Sequence, residues 1–187
     1  MYDMNQSPEW HHKDIFAHTL QVVDNAAKLT DKMEIRFAAL VHDIAKPVTR
    51  RIDPVKGYTF HGHDAIGEKM LNKVSQRLRL SNKLSGYLKK LTLLHLRPIA
   101  LVKSEVTDSA VRRLMVSAGD EVQDLMTLCR ADITTKNPKT VKKYLDKANE
   151  FYKSISMNPI MVKHELPGYL SDLSLIHISE PTRPLYI

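Results

Sequence analysis

Five apolar stripes of helical period in this chain each carry a metal-ligating side chain, and this feature restricts the fold more than any other. The stripe Ile15, His18, Val22, Ala26 and Leu29 has a histidine inside it; Ile35, Ala38 and His42 end in one, with Asp43 next. His63, Ile66, Met70 and Val74 begin with a histidine, whereas Leu84, Leu88, Leu91 and His95 end in one. Val122, Leu125 and Cys129 lead to Asp132. Apolar residues at this spacing mark the core-facing side of an amphipathic helix. The spacing therefore predicts an all-α domain whose helices turn His18, His42, Asp43, His63, His95 and Asp132 toward a common interior.

Each unpaired polar group buried there would cost about 1–3 kcal/mol. Separately satisfied core residues are one way out; a shared ion is the other, because imidazole nitrogens and carboxylate oxygens are its ligands. His42 and Asp43 are adjacent and diverge by about 100° on a helix, so both reach one ion only where the helix end faces a cleft. Mixed His/Asp ligation suits a divalent Mn, Ni, Co, Fe or Zn ion, with Mg possible where oxygen dominates. Such an ion acidifies coordinated water and polarises a phosphoryl oxygen, which points to phosphoester hydrolysis.

The 187 residues, 43% hydrophobic, suffice for one domain with a core. Cys129 is the single cysteine, which excludes an internal disulfide and a four-cysteine zinc site. Lys and Arg exceed Asp and Glu by 28 − 21 = 7, a balance suited to a polyanionic partner such as RNA or a nucleotide. No apolar run reaches the roughly 18 residues of a membrane span, and the N-terminus lacks a basic start followed by an apolar segment. The expectation is a cytoplasmic protein with no membrane partner.

Along the chain, residues 1–13 read as a flexible lead-in, 14–157 as the helical domain, and 158–187 as an irregular tail broken by Pro159, Pro167, Pro181 and Pro184. Asp14, Asp31, Ser81 and Asp108 are the expected N-caps. Pro47 is expected to end the second helix, Arg97 and Pro98 the one bearing His95, and Gly119 the one bearing Val111, Leu114 and Met115. A further helix should begin at Asp120, and a lysine-rich one should run from Thr140 to Ile155. Between Val48 and Phe60, Pro54, Gly57 and the basic Arg50, Arg51 and Lys56 predict a loop over the site with some β structure possible.

His18, His42-Asp43 and Asp132 together resemble the HD superfamily of metal-dependent phosphohydrolases. HKDIFAHTLQVVDN (12–25), FAALVHDIAKPVTRR (37–51), YTFHGHDAIGEKM (58–70), LLHLRP (93–98) and VTDSAVRRL with DLMTLCRADI (106–133) are similar to the C-terminal HD region of bacterial tRNA nucleotidyltransferases, the CCA-adding and poly(A) polymerase class. The resemblance spans about residues 12–155 and implies an HD-domain helical bundle around a metal site. It implies that His18, His42, Asp43 and Asp132 hold the principal ion, and that His63 and His95 complete a second ion or touch phosphate. Asp43, Lys46, His63 and His95 are the implied catalytic residues, with Lys46 neutralising phosphate charge. Ala45 stands where the common family form has glycine. As alanine is a good helix former, the ligands should be unaffected.

Polymerising members of that class carry an N-terminal nucleotidyltransferase head with Gly-Ser and Asp-x-Asp motifs, which this sequence lacks. The expectation is a fragment of a longer protein, without CCA addition by this chain alone. The segment from about residue 173, LSLIHISEPTRP, resembles a translated sequencing adapter and is expected to be a read-through artefact, so His164 and His177 are not counted as ligands. The expected function is hydrolysis of nucleotide or RNA-terminal phosphoesters, with a nucleotide or tRNA 3′ end as partner. The alternative is a non-catalytic helical module that positions tRNA.

Overall fold

The computed structural model describes residues 14–103 and 108–134, together with Lys139, Lys142 and Asp146. Its elements are α1 (Ile15–Leu29), α2 (Met33–Val41), α3 (Lys46–Thr49), β1 (Arg51–Asp53), β2 (Gly57–Thr59), α4 (His63–Arg77), α5 (Asn82–Leu94), α6 (Leu96–Lys103), α7 (Asp108–Ala118) and α8 (Val122–Ala131). The all-α class holds, with one small antiparallel hairpin that pairs Arg51 with Thr59 and Ile52 with Tyr58. No helix among the described residues is long and apolar enough to cross a membrane.

Two caps form as the sequence predicts. The Asp14 carboxylate accepts the Ala17 N–H at 2.6 Å, and the Ser81 hydroxyl accepts that of Leu84 at 3.2 Å. Asp31 does not cap α2; Lys32 occupies that position and makes no side-chain cap. Asp31 instead pairs with Arg36 at 2.9 Å, and the same guanidinium donates to the Thr30 carbonyl at 2.8 Å. The short turn between α1 and α2 thus leaves the acid a better partner than the helix N-terminus.

The prolines open helices where they were expected to close them. α2 ends at Val41, before Pro47, which lies in the first turn of α3. α5 ends at Leu94, and Pro98 lies in the first turn of α6. Proline is well tolerated there because the first N–H groups of a helix have no internal acceptor. Gly119, at φ +58°, does end α7, but a 3₁₀ turn over Gly119–Glu121 intervenes and α8 begins at Val122 rather than Asp120. The Thr140–Ile155 helix falls almost wholly outside the described residues; within it Lys142 and Asp146 are helical and exposed. Residues 1–13 and the tail also lie outside.

Val22, Ala38, Leu71, Leu88, Leu91, Leu114, Leu125 and Leu128 share one buried core drawn from six helices. On α4 the buried face is His63, Gly67, Leu71 and Ser75, one residue round from the expected stripe, and Ile66 is exposed. The reason lies in the close approach of α5. A Cβ added at Gly67 would stand 3.0 Å from the Thr92 methyl and 3.7 Å from the Ala45 methyl. Gly67→Val is therefore expected to force α4 and α5 apart, costing about 1–3 kcal/mol by overpacking. Chemical denaturation should show that loss, and an unchanged midpoint would mean the contact is soft.

Two further hydrogen bonds aim the end of α8. Asn25 of α1 donates to the Ala131 carbonyl at 2.9 Å, and the Cys129 thiol donates to the His95 carbonyl at 3.1 Å. Asp132, next along, is thereby set between α1 and the end of α5.

Candidate metal centre

The four site histidines come from different parts of the bundle; three hand Nδ1–H to the carbonyl three residues back, two of them at a helix end. A helix leaves its last four carbonyls without internal donors. His42, just past α2, folds back so that Nδ1–H donates to the Ala39 carbonyl at 2.8 Å, and His95, just past α5, does the same to Thr92 at 2.6 Å. His63 opens α4 and donates to the Phe60 carbonyl, on the approach to the helix, at 2.7 Å. A carbonyl only accepts, so the proton sits on Nδ1 and each ring presents Nε2 to the interior. The fourth, His18, lies inside α1, and its Nδ1 meets the Thr134 hydroxyl at 3.2 Å.

All six expected side chains converge, and they divide into two trios. Ligand atoms of His18, His42 and Asp132 lie within 4.8 Å of one another, as do those of Asp43, His63 and His95. Asp43 joins the trios. Its Oδ2 lies 3.1 Å from His42 Nε2 and 3.5 Å from His18 Nε2, while its Oδ1 lies 3.2 Å from His63 Nε2 and 3.8 Å from His95 Nε2. Asp132 Oδ1 stands 3.0 Å from His18 Nε2 and 3.5 Å from His42 Nε2. Lys46, on the first turn of α3, pairs with Asp43 Oδ2 at 2.7 Å. Its ammonium also lies 5.6 Å from the centre of the Phe60 ring.

This donor set fits a divalent ion. His42 Nε2 is sealed from solvent and meets no hydrogen-bond partner of acceptable geometry, although carboxylate oxygens surround it. His63 and His95 bring their Nε2 atoms to 3.3 Å, and with both Nδ1 protons committed to carbonyls that approach needs a cation, either a proton on one ring or a metal ion. Carbonyl-held imidazoles are the usual second-layer arrangement of histidine metal ligands.

Electrostatics in the ion-free site follow from the same contacts. Burial opposes charge on His42, but the Asp43 charge and the nearby Asp132 carboxylate outweigh it and raise the imidazole to about 10. For His18, burial is likewise outweighed by Asp132 and Asp43, and the pKa rises. Burial pushes His95 down to about 4, helped by the His42 charge, so this ring is neutral at pH 7. Burial would raise both carboxylates, yet His42 and Lys46 hold Asp43, and His18 and His42 hold Asp132, well below the usual range.

The α3–hairpin segment links the two halves of the site, because Lys46 opens it and His63 follows it. Arg50 lies 3.8 Å over the ring of Tyr58, and the side chains of Arg51 and Lys56 are exposed. Thr134, Phe60 and Tyr58 were not among the residues expected at the site. A histidine inside a helix, with no free carbonyl nearby, was the available signal for a partner like Thr134.

Residues 15–135 match the family model described as HD domain. The chain is 30% identical over 137 residues to the Multifunctional CCA protein of Vibrio campbellii, covering 71% of this chain and 33% of that protein. It is 38% identical over 76 residues to the Multifunctional CCA protein of Psychromonas ingrahamii, covering 40% of this chain and 18% of that one. It is 31% identical over 131 residues to the A-adding tRNA nucleotidyltransferase of Deinococcus radiodurans, covering 66% and 28%. The chain spans at most about a third of the length of these relatives.

Proposed function

The chain belongs to the HD domain family, and from that premise we propose that it hydrolyses phosphoesters of nucleotides or RNA ends at the six-residue centre. At the coarser level it is an HD-domain phosphohydrolase with both His/Asp trios in place. The observation that carries the reading is the division of Asp43 between the trios, one oxygen toward each. A lone structural ion would not need two facing sets of donors.

In this reading His18, His42, Asp43 and Asp132 hold the principal ion, and His63 and His95 complete a second or contact phosphate. A divalent ion held there supplies Lewis acidity for attack of water on phosphorus. Lys46, held against Asp43, sets a fixed cation beside the site, where it stabilises charge developing on a phosphoryl oxygen. Asp43 Oδ1, facing the His63 trio, accepts a proton during the attack. Neutral His95 at pH 7 serves as a nitrogen donor, and His63, slightly more exposed, meets the substrate side.

The nucleotide or RNA-end preference is supported by the basic hairpin next to the site, where Arg50, Arg51 and Lys56 suit polyanions and Tyr58 offers a ring face. The names of the relatives, CCA and tRNA enzymes, agree with that direction. A panel of 2′,3′-cyclic nucleotides, 2′- and 5′-mononucleotides and a nitrophenyl phosphodiester tests it. Nucleoside substrates should exceed the nitrophenyl ester in kcat/KM, and Lys46→Met should lower kcat/KM about 10²-fold while ion binding stays within several-fold. Equal turnover of all esters would remove the nucleotide claim, and an unaffected Lys46→Met would remove the lysine's role.

A further inference from the structure

We propose that Thr134 is a positioning residue that holds the His18 ring through Nδ1 and thereby sets the affinity of the His18–His42–Asp132 trio for its ion. The proposal rests on the reading of His18 as a ligand and adds the residue that orients it. Three of the four histidines are held by backbone carbonyls, a partner that no substitution of those residues removes. His18 is held differently. It lies in the fourth position of a fifteen-residue helix, and the Ile15 carbonyl three residues back already accepts the Thr19 hydroxyl at 2.8 Å. Its Nδ1 is instead matched by the Thr134 hydroxyl at 3.2 Å, a contact across 116 residues of sequence.

The chemistry of that partner differs from the other three. A hydroxyl both donates and accepts, whereas a carbonyl only accepts. When Thr134 accepts from Nδ1–H, the His18 Nε2 lone pair points to the trio and is available to an ion. When Thr134 donates to Nδ1, the proton moves to Nε2, which lies 3.0 Å from Asp132 Oδ1 and can donate to it. Thr134 also follows Asp132 by two residues, so the segment that supplies one ligand orients the next.

The test compares the full chain with Thr134→Val, which keeps the shape and removes the hydroxyl, and Thr134→Ser, which restores it. Chelator-stripped protein is titrated with Co²⁺ and followed by its visible absorption, and imidazole ¹⁵N shifts report the His18 tautomer in ion-loaded (Zn²⁺) protein. The valine variant should weaken the tightest Co²⁺ site about 10–100-fold and leave the melting temperature of the ion-free protein close to that of wild type. Serine should recover affinity to within a few-fold. Wild-type ¹⁵N shifts should show His18 protonated at Nδ1. Unchanged affinity in the valine variant, failure of serine to rescue it, or a wild-type His18 protonated at Nε2 in the loaded state would each overturn the proposal. Absence of Co²⁺ binding by wild type would instead overturn the ligand reading beneath it, which keeps the two failures apart.

Discussion

Asp43→Asn is expected to lower ion-dependent hydrolysis by about 10²–10³-fold or more, the largest effect expected of any single change in this protein. The aspartate gives one oxygen to each trio and a counter-charge to Lys46, and asparagine replaces both anionic oxygens with a neutral amide. Ion affinity should fall in both trios together, whereas a change at Asp132 should weaken chiefly the trio it belongs to. The ion-free protein should also lose stability, because Lys46 is left buried without its carboxylate; breaking a buried pair in this way costs up to about 3–5 kcal/mol. Steady-state turnover, Co²⁺ titration and thermal melting on one preparation read all three quantities. Retained turnover with a normal helical spectrum would mean that Asp43 is a structural acid.

Ion affinity is expected to climb steeply with pH, by about tenfold per unit between pH 7 and 10. In the ion-free site His42 carries a proton up to about pH 10, and an ion must displace it to use Nε2. Three pH units separate neutrality from that value, so about 10³-fold of affinity is withheld at pH 7 relative to the plateau. His18, also raised, adds a second displaced proton toward lower pH and steepens the dependence.

Ion-free stability runs the other way. The raised His42 contributes stability that is fully present below its unfolded pKa near 6.5 and is lost as pH rises through about 10. Asp43 and Asp132, both depressed, contribute stability present above about 4 and lost only in stronger acid. His95, held down to about 4, opposes folding increasingly as pH falls below 6.5, so the ion-free protein should be most stable near pH 6.5. Calorimetry in buffers of different ionisation enthalpy measures the protons released, and a pH-independent affinity would mean that His42 is neutral before the ion arrives.

Much of the site was legible in the sequence because burial of polar groups is costly and therefore informative. His18, His42, Asp43, His63, His95 and Asp132 stood out as ligand-type residues on apolar stripes, and the fold brings those six together. Their division into two trios was not legible. It depends on where the turn after α2 points the two oxygens of Asp43, which no spacing encodes. The α4 stripe was misread by one residue because periodicity weighs large apolar side chains, whereas this face is chosen by Gly67 and Ser75, small enough to admit α5. Prolines were read as stops for a related reason. The same missing N–H that ends a helix is harmless in a first turn, and only tertiary context separates the two cases.

The most direct test of the central claim is turnover of a 2′,3′-cyclic nucleotide by the chelator-stripped full chain, with Mn²⁺, Co²⁺, Ni²⁺ or Mg²⁺ added back one at a time. The account predicts no turnover without an ion and restoration by at least one of them in proportion to the ion bound. A folded, ion-binding protein that hydrolyses neither this ester nor any other phosphoester with any of the four ions would contradict it and leave the centre a structural staple in a binding module.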